Sequence, residues 1–340
     1  MRKTRIAIIG LGMAVAPHAR SLQDLAERAE VVVAFSPTQV RRDAFAQAWG
    51  FPVTGDLDGI FSDAGIDAVM ILTPPNSHLD LVRRAAGAGK HILLEKPLET
   101  SIAKAEELVA TAEAAGVKLG VVLQNRFKPA SVKLARLLAE GSLGAIVSAS
   151  ARTRNWRPQS YYDQPGRGTL ARDGGGVLLT QAIHTLDLFI SLAGLPQEVT
   201  CYATTSPIHS METEDLAMAA TRYANGAIGT ISATTCAYPG FPDAIDIIGT
   251  LGTAQLDDLG LTVQLHDGTS LSETAVDAAA GAGADPMAFS HQHHRAVLAD
   301  FLDAVEGDGQ PKITGREALK VHRLIEAMLR SSQSGSRQSL

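Results

Sequence analysis

The chain has 340 residues, 45% hydrophobic and 19% charged, with a formal net charge of −6. That length suits one large domain or two ordinary ones, and the composition excludes a largely disordered chain. An acidic balance without any run of basic residues excludes a surface that tracks nucleic acid.

At the amino terminus, Arg2, Lys3 and Arg5 precede an apolar stretch from Ile6 to Ala16 that imitates a cleavable export signal. Gly10 and Gly12 interrupt it after four apolar residues. No segment reaches the roughly 18–20 apolar residues needed to cross a bilayer, so a soluble protein is expected. The first strand is placed at Arg5–Ile9, followed by a glycine turn and a helix from Val15 to about Ala29. A second strand, Val31–Phe35, breaks at Ser36-Pro37 before a helix through Trp49. The strand Asp67–Leu72 ends at Thr73-Pro74-Pro75, and the helix His78–Gly89 leads to the strand His91–Leu94. The helix Ile102–Gly116 then leads to the strand Lys118–Leu123. Continuous apolar strands separated by helices describe a parallel sheet covered on both faces, a doubly wound nucleotide-binding domain over residues 1–123.

From Gln124 the pattern changes. After a helix Ser131–Glu140, strands are expected at Ile146–Thr153, Val199–Thr204, Asp215–Tyr223, Ala227–Thr235, Asp243–Ile248, Thr253–Leu256 and Leu261–His266, with Asn225-Gly226 as a tight hairpin. The run Asp173-Gly174-Gly175-Gly176 opens a single helix reaching Ala193. This describes a second α+β domain, residues 124–330, built on a large, open, mostly antiparallel sheet. Its final helix is free to pack back on the first domain. The segment Ala278–Ala284 is low in complexity, helices Gln292–Val305 and Arg316–Arg330 close the chain, and residues 331–340 look like a flexible polar tail.

Gly10-Leu11-Gly12-Met13-Ala14 falls between the first strand and its helix. Gly10 permits a tight turn and Gly12 lets a pyrophosphate approach the helix start. After the second strand there is no acid to hold an adenosine ribose. Ser36 stands there instead, with Arg41 and Arg42 one turn on, which suits the 2′-phosphate of NADP(H) over NAD(H). Glu95-Lys96-Pro97 follows the fourth strand, at the carboxyl edge where ligands of such sheets collect. Taken alone, that triplet reads as a surface turn. In Gly175-Gly176-Val-Leu-Leu-Thr180-Gln-Ala-Ile-His184-Thr-Leu-Asp187, one helix would set Thr180 and His184 on a shared face with Asp187 a turn on. A histidine near a carboxylate makes a general base, and a core histidine leaves the same trace. His291, His293 and His294 lack the spacing and partners of a zinc site, so no metal is expected. Cys201 and Cys236 are too few for a disulfide framework and read as reduced thiols of a cytoplasmic protein.

The Gly10–Gly12 turn, Thr73-Pro74-Pro75-Asn76-Ser77-His78, Glu95-Lys96-Pro97 and the Gly-Gly…His184…Asp187 segment, in this order, resemble the Gfo/Idh/MocA oxidoreductases. The resemblance covers about Arg5 to Arg330. It implies a Rossmann domain followed by an open-sheet domain. The activity it implies is hydride transfer between a nicotinamide cofactor and a secondary alcohol or ketone of a sugar, polyol or nucleotide sugar. It also implies Lys96 and His184 as catalytic residues, with Met13, Ala14, Thr73, Pro74, Asn76, His78 and Glu95 lining the cofactor. Many sugar and inositol dehydrogenases of the family carry an aspartate where this chain has Thr180, which leans toward the nucleotide-sugar branch. Gln124-Asn125-Arg126-Phe127, Trp156-Arg157 and Tyr161-Tyr162 are similar to that branch. Arg126, Trp156, Arg157, Thr180 and Asp187 are the candidate substrate residues, the arginines suiting a carboxylate or phosphate. Two alternatives keep the fold: an NAD-assisted glycosidase working through transient oxidation, and a non-catalytic cofactor or sugar sensor. Leu216, Met218 and Ala220 alternate with Ala217, Ala219 and Thr221, so both faces of that strand are apolar or small. This points to a homodimer or homotetramer joined through the second sheet.

Overall fold

The computed structural model describes residues 2–274 and 290–340. The low-complexity segment 278–284 lies outside them. Two compact units result, Met1–Gln124 with Ser290–Leu319, and Asn125–Phe289 with Lys320–Leu340.

The first unit is built on six strands: β1 (Thr4–Ile9), β2 (Ala29–Phe35), β3 (Val53–Thr54), β4 (Ala68–Ile71), β5 (His91–Glu95) and β6 (Leu119–Val122). They lie in the order β3-β2-β1-β4-β5-β6, and every pairing is parallel. Ile6, Ile8, Ile9, Met70, Ile71 and Leu93 are at most 1% exposed, as expected where helices cover both faces. The residues that imitate an export signal thus form the central strand. The helix expected to run to Ala29 is Val15–Asp24 and stops early, because Ala29 and Glu30 are drawn into register with Thr4 and Arg5 of β1. The short β3 and the helix Leu57–Ser62 were not foreseen; Asp56 caps that helix by accepting the Gly59 N–H at 3.0 Å. Residues Ser290–Leu319, which chain order placed in the second domain, fall in this unit. Their helix Gln292–Glu306 packs on Val15–Asp24.

The second unit carries β7 (Ile146–Trp156), β8 (Glu198–Thr204), β9 (Leu216–Arg222), β10 (Ile228–Thr234), β11 (Cys236–Gly249), β12 (Gly252–Asp257), β13 (Gly260–Leu265), β14 (Ser270–Thr274) and β15 (Gln338–Ser339). The order is β14-β13-β12-β11-β7-β10-β9-β8-β15, antiparallel except for the parallel pair β7 and β10. One face is covered by the helix Ile183–Ala193, whose Phe189 is fully buried and which packs on β7 and β11. The expected flexible tail is a correction. The last helix continues to Ser334 and β15 pairs with the edge strand β8. Serine hydroxyls make this possible: Ser331 Oγ accepts the Cys201 N–H at 3.0 Å, and Ser332 Oγ accepts that of Ala203 at 2.8 Å. Polar residues here close a sheet edge.

Candidate active site

In the first unit, the candidate residues gather at the carboxyl ends of β1, β2, β4 and β5, where an open parallel sheet collects its ligands. Gly10 donates its N–H to Phe35 O at 3.0 Å and has φ +107°; a Cβ there would stand 2.8 Å from the Leu72 carbonyl carbon. Only glycine lets these three strand ends meet so closely. Gly12 differs: a Cβ on it meets nothing within 4 Å. It faces open space at the start of the helix Val15–Asp24, whose first turn holds no acid, beside half-exposed Met13 and the Ala14 cap. A pyrophosphate fits such a cradle, drawn by free N–H groups and the positive helix end.

At the end of β2, Ser36 is 2% exposed. Its Oγ accepts the Thr38 N–H, while Arg42 Nη1 donates to its carbonyl at 2.5 Å and Arg42 Nη2 to Gln39. Arg42 is therefore the guanidinium braced on this turn, and Arg41 lies exposed.

At the end of β4, Thr73 is half-buried, and Pro74 and Asn76 are exposed. His78, expected beside the cofactor, is instead fully buried. Its Nε2 faces Thr73 O at 2.8 Å, and Nδ1 faces Pro97 O at 3.0 Å and Leu98 O at 3.1 Å. It is a strut between the two turns. Burial, outweighing these carbonyls, lowers its pKa.

Lys96 follows β5, half-buried, on a cis bond to Pro97. Behind it Glu95 is 8% exposed, accepting the Lys96 main-chain N–H at 3.1 Å and bonding His18 Nε2 at 2.8 Å. Burial works to raise the Glu95 carboxyl. The hydrogen bond and charge of His18, with the Lys96 ammonium and His294, override it and hold the pKa down at about 2. The His294 ring stands edge-on to His18, centroids 5.1 Å apart, and burial, with His18 adding to it, pushes its pKa to about 3. His18 escaped the sequence reading, and His294 was weighed there only as a metal ligand. His18 is 77 positions from Glu95, and its one signal was a titratable side chain in an otherwise apolar helix face.

In the second unit, the expected single helix is two pieces, Val177–Thr180 and Ile183–Ala193, separated by Gln181 and Ala182. Gly176 packs against Glu214 so closely that a Cβ would lie 1.8 Å from the Glu214 carbonyl oxygen. The Glu214 carboxyl accepts the N–H groups of Gly176 and Leu178 at 3.0 and 3.1 Å. Thr180 and His184 consequently do not sit one turn apart on a single helix. Thr180 donates to Gly176 O at 2.6 Å and also bonds Gln181.

From Ala182 to Ile190 every residue is buried except half-buried His184. Its neighbour Thr185 donates to Asp243, which Thr153 also reaches at 3.3 Å, so the helix is fastened to β7 and β11 at this point. Burial, with Asp258 adding to it, raises the Asp243 pKa to about 6.

Arg126 and Asp187, expected to meet substrate, are committed to each other. Arg126 Nε and Nη2 donate to the two Asp187 oxygens at 2.8 and 2.6 Å, with side chains 8% and 1% exposed. Trp156 ends β7 with its ring edge-on to Tyr238 at 5.5 Å. Arg157 is 9% exposed and donates to Trp156 O at 2.8 Å.

Among the described residues, two groups of donors come within 4.8 Å of one another, His18 with Glu95 and His294, and His209 with Asp215 and Cys236. In each, the members are already engaged with one another, His18 with Glu95 and His209 with Asp215, both at 2.8 Å.

Residues 4–123 match the family model described as "Oxidoreductase family, NAD-binding Rossmann fold", and residues 131–255 match the "GFO/IDH/MocA C-terminal domain". D-apiose dehydrogenase of Paraburkholderia graminis is 28% identical, over 98% of this chain and 89% of the relative. The 1,5-anhydro-D-fructose reductase of Ensifer adhaerens is 30% identical over 85% of each. Among solved structures, the WlbA dehydrogenase of Bordetella pertussis, in complex with NADH and UDP-GlcNAcA, is 28% identical with a TM-score of 0.85, covering 100% of this chain and 99% of that one.

Proposed function

Because the chain belongs to the Gfo/Idh/MocA family of NAD-binding oxidoreductases, we propose that it moves hydride between a nicotinamide cofactor and a secondary alcohol or ketone of a sugar, polyol or nucleotide sugar. The observation that carries this reading is His184, the one position between Ala182 and Ile190 that the fold leaves open. The relatives named above act on sugars or hold a nucleotide sugar.

Gly10, Gly12 and the first turn at Met13 and Ala14 would hold the pyrophosphate, and Thr73, Pro74 and Asn76 the nicotinamide side. The bound cofactor supplies or takes the hydride. In the oxidative direction, His184 takes the hydroxyl proton at a ring nitrogen. The Lys96 ammonium donates a hydrogen bond to the same oxygen and stabilises its growing negative charge. Glu95 orients Lys96 through its main chain. Thr180, spent on the Gly176 carbonyl, leaves proton transfer to His184.

NADP(H) is favoured over NAD(H). No acid stands at the end of β2, and exposed Arg41 gives a 2′-phosphate a cation. The free thiols of Cys201 and Cys236 support a reducing compartment, the cytoplasm. Among the described residues no helix is long and apolar enough to cross a membrane. The open face of the second sheet carries Tyr202, opposite Met218, and Ile228, 79%, 57% and 62% exposed, which supports a homodimer or homotetramer formed there.

The test is an absorbance assay for reduced nicotinamide, pairing NAD and NADP with free sugars, inositols, uronic acids and nucleotide sugars. Turnover with one pair supports the reading. No turnover, in protein shown to bind the cofactor, overturns it in favour of transient oxidation or sensing.

A further inference from the structure

The arginines of the second unit fall into two kinds. Arg126 is forked onto Asp187, and Arg152 reaches Asp246 at 2.9 Å. Arg157 and Arg167 have no carboxylate within ion-pair distance among the described residues, although each buries its Nε without an acceptor. Both guanidiniums lie over the same ring, that of Tyr161, their carbons 5.7 and 4.7 Å from its centroid. Arg157 has one acceptor besides, the Trp156 carbonyl at 2.8 Å.

A guanidinium cannot neutralise itself by losing its proton. Taking it out of water without a counter-charge is unfavourable, and a ring face offsets that only in part. The position is also held rigidly. The Arg157 N–H donates to Thr235 O at 3.0 Å, and its carbonyl faces His209 Nε2 at 2.8 Å, while His209 Nδ1 faces Asp215 at 2.8 Å. Arg157 follows Thr153 by four residues, and Thr153 shares Asp243 with Thr185, the neighbour of His184. At about 3.3 Å per extended residue, Thr153 and Arg157 are roughly 13 Å apart along the chain, within reach of one extended substrate.

We propose that Arg157 and Arg167, both stacked on Tyr161, form a receptor for an oxyanion of the substrate, a carboxylate or a phosphate, so that the sugars this protein handles are acidic ones. The proposal rests on the sugar-oxidoreductase reading for its site and narrows the substrate class. A forked, cationic pair recognises either group, with Arg157 supplying the buried cation and Arg167 the second.

The experiment measures, by calorimetry on the full chain saturated with cofactor, the binding of glucuronate, glucose 1-phosphate, UDP-glucuronate and neutral glucose. Reduction of nicotinamide is followed in parallel. At least one acidic probe is expected to bind roughly tenfold or more tighter than glucose, with affinity falling as salt rises. R157M and R167Q each remove that preference, and R157K restores part of it. Glucuronate compared with glucose 1-phosphate distinguishes a carboxylate from a phosphate. Glucose binding as tightly as every acidic probe, or folded R157M and R167Q retaining the preference, overturns the proposal. If R157M fails to fold, R167Q and the wild-type comparison decide. Acid-selective binding without turnover of any sugar overturns the oxidoreductase reading and leaves the receptor. Turnover without acid selectivity does the reverse.

Discussion

Asp187→Ala separates a structural role from a substrate role. The carboxylate takes two bonds from Arg126, at 2.8 and 2.6 Å, and the side chains are 1% and 8% exposed. Removing it takes the paired carboxylate from a guanidinium that water barely reaches. Breaking one side of a buried pair costs about 3–5 kcal/mol, because the remaining charge keeps its desolvation penalty. At roughly 2–4 °C per kcal/mol for a unit of this size, Tm should fall by about 6–20 °C. Urea unfolding and a thermal scan measure the loss. R126M with D187L, which removes both charges, should recover most of it, since apolar replacement of such a pair is often neutral. A D187A protein of unchanged stability but raised KM for sugar would refute this reasoning and return Asp187 to the substrate site.

Gly12→Ala places a methyl in open space, so stability should stay within about 0.5 kcal/mol while cofactor affinity falls; unchanged affinity by titration of bound reduced cofactor would contradict the cradle. Glu95 and Asp243 should show opposite pH signatures. Glu95, held at about 2, stabilises the fold above its unfolded pKa near 4.5, and that contribution is lost as pH falls toward 2, so E95Q should be weaker than wild type at pH 7 and converge with it in acid. Asp243, raised to about 6, binds a proton more tightly folded than unfolded, so wild type should lose stability relative to D243N as pH rises from about 4 to about 6; urea midpoints across pH check both. Light scattering at micromolar concentration should give a dimer or larger, and a monomer would remove the proposed packing through Tyr202, Met218 and Ile228.

Local pattern was enough for most strands of the first sheet, though not for β3, nor for β14 and β15 of the second. Buried β-branched runs fixed β1, β2, β4 and β5, and with them the placing of Gly10, Gly12, Ser36 and Lys96 at carboxyl ends. Partnerships across distance were not legible. Arg126 and Asp187 lie 61 positions apart, and His18 and Glu95 lie 77 apart; nothing in either neighbourhood names the other. Asp187 read as a partner for His184, and the two bonds it takes from Arg126 had no local signal. His78 matched a cofactor-side motif yet serves the two turns beside it. The polar carboxyl terminus read as a tail because its value lies in hydroxyls that satisfy an edge strand, which depends on β8 being there. The seating of Gly176 on Glu214, ahead of the helix Val177–Thr180, is again a tertiary contact that no local pattern names.

The central claim is that Lys96 and His184 act on the substrate oxygen. Its most direct measurement is single-turnover hydride transfer in Lys96→Met and His184→Ala, with cofactor affinity titrated alongside. Both variants should bind cofactor within about threefold of wild type and transfer hydride about a hundredfold or more slowly, the usual effect of losing a positioned acid–base group. Wild-type transfer in either variant, or a loss fully accounted for by weaker cofactor binding, would contradict the account.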